Sequence, residues 1–299
     1  MLAVAGDPPP RSAWTEWKFD GHRTRADTGL VNGPRLVSRG GHIVTHRFPE
    51  IVDALVDVVG TRMAVLDGEL VVPGAGGLPD FDRLQRRSRV TPTRNRVALD
   101  PVTLVCFDLL ALGGIDLTRR PLRERRALLD ELIPEGHPRL MRSPVFRDVD
   151  PAVLLDAARA HGMEGVVTKR PTSTYTLGAR SKSWVKTVIT ERAEFLIAGS
   201  AQGRARRPGA FGSLLLGTPT PAGGLEFVGE VGTGWSRSEH ARLSRLLAEL
   251  SVDECPFTKG ADRVPVGARF THPVLRCLVA YREHRPGALL RHPSWKGLV

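Results

Sequence analysis

The sequence predicts an α+β protein in two parts, a mixed domain of strands and helices followed by a smaller β-barrel, and three observations carry the prediction. First, 299 residues is enough for two domains at roughly 150 residues each, and so for two cores. Second, up to residue 188 short apolar runs of strand length alternate with segments of helical periodicity. Third, from Glu194 the texture changes to short strands broken by glycine around one helix, the pattern of a small barrel. The expected domains are therefore 1–188 and 189–299.

Taken in order, Trp14 to Arg25 reads as two short strands joined by a turn at Asp20-Gly21, with Lys18 at the end of the first strand. Met63 to Val72 and Val102 to Leu112 are Val/Leu-rich and read as buried strands; they carry Asp67-Gly68-Glu69 and Phe107-Asp108, acidic residues that an apolar strand has to account for. Phe81 to Arg87, Arg123 to Ile133 and Pro151 to His161 have helical spacing, the last with Pro at its first turn and Gly162 at its end. Gly165 to Lys169 and Ser183 to Ile189 are further strands. In the second part Phe195 to Ala198, Ser213 to Leu216 and Leu225 to Val231 are strands. A helix follows with Leu243, Leu246, Leu247 and Leu250 on one face, and then a run of strands from Arg269 to Tyr281.

With 41% hydrophobic and 25% charged residues the chain has the composition of a folded protein, neither disordered nor collagen-like. No run approaches the ~18 apolar residues of a membrane span, and Met1 to Pro10 has no basic n-region or apolar h-region, so a cytoplasmic location is expected. Cys106, Cys255 and Cys277 are far apart, which argues against a disulfide framework or structural zinc and for reduced core thiols. The net charge of +11, spread over both parts, suits a nucleic-acid partner as well as it suits a plain basic surface.

Of 43 basic residues only six are lysines: Lys18, Lys169, Lys182, Lys186, Lys259 and Lys296. A guanidinium stays protonated, whereas an amine can lose its proton and attack an electrophile, so lysines kept in an arginine-dominated chain are candidates for chemistry. Lys18, Asp20, Gly21 and Arg23 form a K-x-D-G-x-R string. An amine, a nearby carboxylate and an arginine beyond a turn suit covalent phosphoryl transfer, in which cations and a divalent metal offset the charge of an in-line displacement. Lys259 and Lys296 lie in no polar constellation.

Downstream come Asp67-Gly68-Glu69, Phe107-Asp108, Glu164-Gly165-Val166-Val167-Thr168-Lys169 and Trp184-Val185-Lys186. In this order and at these intervals the set resembles the motifs of the covalent nucleotidyltransferases, the superfamily of ATP-dependent DNA ligases, RNA ligases and mRNA capping enzymes. Finer features are similar to the bacterial ATP-dependent DNA ligases of the end-joining type: Ser38-Arg39 with Gly41, Phe48-Pro49-Glu50, Phe81 with Leu84, Gln85 and Arg87, Gly212 to Gly217, Val231 to Gly234, and Arg291 to Leu298.

The resemblance implies an ATP-grasp-like adenylation domain followed by an OB-fold domain, acting on nicks or ends of duplex DNA in repair and recombination, with end-joining proteins as partners. It also implies ATP and Mg²⁺ or Mn²⁺ as cofactors, a nucleoid-associated cytoplasmic location, and a monomer, as suits a clamp that opens and closes around DNA. By the same resemblance Lys18 attacks the α-phosphorus of ATP, with Asp20 beside it. Glu16 and Trp17 flank the adenine, Phe107 stacks on it, Arg23 and Glu69 lie near the ribose, and Arg39 near the phosphates or the DNA end. Glu69 and Glu164 support a metal ion, Lys169 and Lys186 neutralise the α-phosphate, and Lys182 contacts DNA. The basic segment Gly203 to Gly209, with Arg204, Arg206 and Arg207, is a DNA-contacting or simply solvated loop.

Two departures stand out. Val188 occupies the position where the family's last motif has a second lysine, and after Gly297-Leu298 the chain stops at Val299, where the family continues into a motif that orients the leaving pyrophosphate. The resulting expectation is a first, ATP-dependent step impaired more than the later ones. An RNA ligase or capping-type enzyme and a catalytically reduced DNA-end-binding protein are the alternatives; an NAD-dependent ligase is disfavoured by the missing cysteine-rich zinc module.

Overall fold

The computed structural model describes residues 1–9, 13–74, 77–202, 211–282 and 287–299, without the side chains of Arg94 and Arg96. The chain forms two compact units, Met1–Ile189 and Thr190–Val299.

The first unit is built on two sheets. One runs in the order β1 (Leu2–Ala5), β11 (Arg180–Val188), β10 (Gly165–Lys169), β2 (Trp14–Trp17), β9 (Val145–Phe146). The other runs β4 (Arg35–Ser38), β3 (His22–Asp27), β5 (Ala64–Val71), β6 (Thr103–Leu112), β7 (Ile115–Asp116), with β8 (Leu140–Arg142) also beside β6. The Val/Leu-rich segments expected as buried strands are β5 and β6, and they pair antiparallel with each other.

Helix α1 (Pro49–Val59) starts with Pro49 in its first turn, where the missing N–H costs nothing, and buries Ile51, Ala54, Leu55 and Val59 along one stripe. That stripe joins Leu66 and Leu70 of β5, Leu104 and Leu109 of β6, and Leu129 and Leu132 of α4 (Leu122–Leu132) in the main core of the unit. Fully burying one such leucine contributes roughly 1.5–3 kcal/mol, which is why the apolar spacing decides which face turns inward. Asp80 caps α2 (Phe81–Arg89) by accepting from the Arg83 N–H at 2.9 Å. Short α3 (Arg94–Leu99) follows, and α5 (Pro151–Ala160) is capped by Asp150 in the same way. The expected helices correspond to α2, α4 and α5; α1 and α3 are additional to them.

The second unit is one six-stranded sheet in the order β14 (Leu225–Val231), β13 (Phe211–Pro219), β12 (Glu191–Gln202), β16 (Arg269–Tyr281), β15 (Ser251–Val252), with β17 (Ser294–Leu298) beside β16. Its helix α6 (Arg237–Glu249) opens with a capping box between Ser236 and Glu239, and Leu243 and Leu247 of the expected leucine stripe are buried. The run from Arg269 to Tyr281 is one long strand rather than several. It stays continuous by shifting register against β12 between Ile197 and Gly199, which absorbs Pro273, a residue unable to donate to a ladder.

Two expectations need correcting. The strands on either side of Asp20-Gly21 are not a hairpin: β2 and β3 belong to different sheets, and residues 18–21 are the crossing between them. Asp20 and Lys18 are therefore not on one face of a strand. Of the cysteines, Cys106 and Cys277 are free and buried, but Cys255 is exposed. No helix among the described residues is long and apolar enough to cross a membrane.

Candidate active site

The crossing from β2 to β3 places the reactive amine. Thr15 and Glu16 of β2 are buried between β9 and β10, so the strand is anchored as far as Trp17. The Lys18 N–H then donates to the Gly165 carbonyl at 2.9 Å. Two glycines make the crossing possible. A Cβ on Gly21 would overlap the Leu70 carbonyl, and one on Gly165, whose φ is +145°, would overlap the Thr187 carbonyl. The sequence thus brings Lys18, just past the end of β2, against Glu164, just before β10 of the same sheet, with Nζ 2.5 Å from Oε2 and the Glu164 side chain only 6% exposed.

These elements enclose a cavity of about 230 Å³ lined by Glu16, Trp17, Lys18, Arg23, Arg39, Glu69, Phe107, Lys169 and Lys186. Trp184, Arg180 and Val167 also line it. Its far end is aromatic. The Lys169 amine is buried there, 4.5 Å from the Phe107 ring centre and 4.4 Å from that of Trp184, and 2.7 Å from Glu16 Oε1. Burial holds the Lys169 ammonium below its ordinary range, with the Glu16 carboxylate opposing that effect. Lys169, expected beside the α-phosphate, is thus grouped with the residues expected around the base.

Arg23 is locked in place. Its Nε donates to Asp67 Oδ1 at 3.0 Å and its Nη2 to Asp67 Oδ2 at 2.7 Å and to the Met1 carbonyl at 2.6 Å. The Tyr175 hydroxyl donates to the same Asp67 Oδ2 at 2.7 Å. Asp108 holds Arg125 of α4 in a second bidentate pair, 2.7 Å in both arms, with both side chains fully buried. Asp67 and Asp108 inside β5 and β6 are explained by these pairs: Asp67 fixes Arg23 in the cavity wall, and Asp108 fixes Arg125 outside the lining.

Glu69 lines the cavity from β5, paired across the sheet with Arg23 of β3. Burial pushes its carboxyl up to about 8, reinforced by the charges of Asp67 and Glu164 and opposed by Lys18 and Arg23. At neutral pH it is mostly protonated. The described residues contain no cluster of three or more His, Cys, Asp or Glu able to hold a metal by themselves. Two carboxylates that feel one another, Glu69 and Glu164, are nevertheless the donor set Mg²⁺ uses when substrate phosphates and water complete its shell.

The remaining expected site residues lie at the rim of the cavity, outside its lining or outside the described residues. Asp20 does not line the cavity; its charge acts on His22. Lys182 is exposed on β11 and outside the lining. Arg39 is exposed at a rim shared with a larger neighbouring cavity. Arg204, Arg206 and Arg207 lie outside the described residues. Trp184, Tyr175 and Arg125 were not assigned roles from sequence. Trp184 was within reach, since it sits in the Trp184-Val185-Lys186 motif, whereas nothing local marks Tyr175 or Arg125.

Comparisons with known proteins agree over nearly the whole chain. Residues 7–187 match the family model described as ATP dependent DNA ligase domain, and residues 207–298 match ATP dependent DNA ligase C terminal region. The chain is 39% identical over 296 residues to the multifunctional non-homologous end joining DNA repair protein LigD of Mycobacterium tuberculosis, covering 96% of this chain and 36% of that protein. It is 30% identical over 312 residues to a DNA ligase of Pyrobaculum islandicum, covering 96% of this chain and 53% of that one. The chain thus spans only about a third of the length of the end-joining relatives it matches. Among solved structures, the ligase domain of M. tuberculosis LigD matches with a TM-score of 0.57 at 35% identity, covering 100% of this chain and 93% of that one. A mycobacterial DNA ligase D complexed with ATP and MES gives 0.58 at 36% identity over the same shares.

Proposed function

The chain belongs to the ATP-dependent DNA ligase family, and from that premise we propose that it seals 3′-hydroxyl/5′-phosphate breaks in duplex DNA through a lysyl-AMP intermediate on Lys18, in DNA repair. Its fold is a nucleotidyltransferase domain followed by an OB-fold domain. The observation that carries the proposal is the position of the Lys18 amine, in a cavity lined by the aromatic rings of Phe107 and Trp184, which suit a purine, and by Glu69, Arg39 and Lys186.

Lys18 is held as an ion pair with Glu164. Attack needs the free amine, so the ammonium must first give up its proton, and Glu164 Oε2 is the oxygen at hand to take it. The nitrogen then bonds to the α-phosphorus of ATP while the bond to the bridging oxygen breaks and pyrophosphate leaves with the electron pair. Lys186 and Arg39 line the same cavity and are the cations available to the negative charge that develops. A divalent cation held by Glu69 and Glu164 would supply further charge neutralisation to the phosphates. Phe107 and Trp184 supply the base platform, and Glu16 with Lys169 presents an acceptor beside a donor to the base edge. In the second step a 5′-phosphate oxygen attacks the AMP phosphorus and releases Lys18; in the third the 3′-hydroxyl attacks the activated 5′-phosphorus and AMP departs. Activation by AMP turns a poor leaving group into a good one, which makes the last attack feasible near neutral pH.

We assign the domains as 1–188 and 189–299. A monomeric, cytoplasmic and nucleoid-associated protein working with end-joining partners completes the reading. The test is incubation of the chain with ATP, Mg²⁺ or Mn²⁺ and a nicked duplex labelled at the 5′-phosphate. Joined strand with transient AMP-capped strand is the expected result. Joining of RNA ends alone, or no covalent product from either ATP or a pre-adenylylated nick, would replace the reading with another.

A further inference from the structure

Arg23 has two acids of β5 as cross-strand neighbours and binds only one of them. In the antiparallel register of β3 and β5 Arg23 stands directly opposite Glu69, whereas Asp67 is its diagonal neighbour, opposite Arg25. Residues directly opposite are the closer pair, roughly 4.5–5.5 Å between Cβ atoms against about 7–8 Å on the diagonal, so place in the ladder alone favours Glu69. The guanidinium nevertheless gives both Nε and Nη2 to Asp67. Arg25 does not compete for that carboxylate, because its own Nε and Nη2 donate to Asp27 at 2.8 and 3.0 Å.

The choice is set from the other sheet. Tyr175 lies in the connection between β10 and β11, and its hydroxyl donates to Asp67 Oδ2 at 2.7 Å and accepts from Arg23 Nη2 at 3.2 Å, closing a ring of hydrogen bonds among the three side chains. Burial, with the Asp67 charge beside it, raises this hydroxyl above its ordinary range, so it stays protonated and remains a donor. The phenol is itself fixed. Its ring centre is 5.9 Å from that of Trp184 and 5.7 Å from the guanidinium carbon of Arg125, and the Tyr175 N–H donates to the Thr118 carbonyl at 2.8 Å. Just before it, the Ser173 carbonyl accepts from the Leu122 N–H at 2.9 Å and from Arg125 Nη1 at 3.0 Å. With Nε and Nη2 committed, Nη1 is the arm of Arg23 without a partner among the described residues, and 21% of this side chain is exposed where it lines the cavity.

We infer that Tyr175 is a positioning residue: its hydroxyl holds Arg23 against Asp67 and away from Glu69, so that Nη1 is presented to an oxygen of the nucleotide. The role rests on the ligase reading, since it matters only when a nucleotide enters the cavity. It gives the connection between the strands that carry Lys169 and Lys186 control over the aim of an arginine on the opposite sheet.

The experiment follows enzyme-AMP formation against ATP concentration in wild type, Tyr175→Phe, Arg23→Lys and the double variant, with thermal unfolding of each. Tyr175→Phe keeps the ring against Trp184 and is expected to raise the KM for ATP about tenfold while kcat changes by less than about threefold. Arg23→Lys removes the third arm and raises the KM as well. In that background Tyr175→Phe should add nothing, because no arm is left to aim. The same factor repeated in the Arg23→Lys background would overturn the inference and make Tyr175 a packing residue. So would an unchanged KM in Tyr175→Phe, a loss confined to kcat, or collapse of its fold. A wild type that forms no enzyme-AMP would remove the ligase reading, and the inference with it.

Discussion

Replacing Glu69 by Gln gives the most quantitative check on the site's electrostatics. Raising a carboxyl from its ordinary value of 4.5 to about 8 corresponds to roughly 5 kcal/mol, at ~1.4 kcal/mol for each tenfold change in proton affinity. The folded protein holds this proton more tightly than the unfolded chain. The contribution is therefore whole below the ordinary carboxyl range, shrinks as pH climbs, and is gone once pH passes about 8. Glu69→Gln keeps the neutral shape and removes the titration. Urea unfolding of both proteins at about pH 5, 7 and 9, with chelator and without nucleotide, should give matching stabilities at the acid end. At the alkaline end the variant should gain several kcal/mol over wild type, with roughly 5 as the upper figure. Parallel curves would refute the assignment of a protonated Glu69. The same proton must leave when a cation binds, so in the wild type the apparent affinity for Mn²⁺ rises with pH until about 8 and then levels.

Asp108→Asn strands the fully buried Arg125 guanidinium, a loss of roughly 3–5 kcal/mol. For a unit of this size that means a Tm lower by roughly 6–20 °C, readable by calorimetry; a fall of a degree or less would contradict the role given to the pair. At the aromatic end, Glu16→Ala leaves the Lys169 ammonium buried without its carboxylate, whereas Lys169→Met keeps an unbranched chain between Phe107 and Trp184. Lys169→Met should therefore be the more stable of the two by about 2 kcal/mol or more in urea. Both should raise the KM for ATP more than they lower kcat, and an effect on kcat alone would return Lys169 to the α-phosphate.

The parts of the site legible in the sequence are those set by local spacing. Lys18, Glu69, Phe107, Glu164, Lys169 and Lys186 stand in short strings whose order survives folding, and Glu16 and Trp17 come with Lys18. The strands β5 and β6 were legible because an apolar run of that length has little else to become. What was hidden depends on distant parts of the chain. The turn at Asp20-Gly21 reads as a hairpin locally, but Gly21 fits against the Leu70 carbonyl of the second sheet, and there the chain crosses from one sheet to the other. Asp67 and Asp108 were visibly odd inside apolar strands, yet Arg125, 17 residues beyond Asp108, is tied to it only by the packing of α4 on β6. Arg47, which lines the larger neighbouring cavity, reads as an ordinary surface residue until the Arg87 guanidinium donates to its carbonyl and ties its turn to α2.

The central claim is that Lys18 is the atom-level nucleophile toward ATP. Its most direct test is to incubate wild type and Lys18→Ala with ATP labelled at the α-phosphate and Mg²⁺ or Mn²⁺, then locate the label by acid sensitivity and peptide mapping. An acid-labile label on the peptide containing Lys18, absent from the variant, is the expected result. Label that persists in Lys18→Ala, or that maps to another lysine such as Lys169 or Lys186, would contradict it.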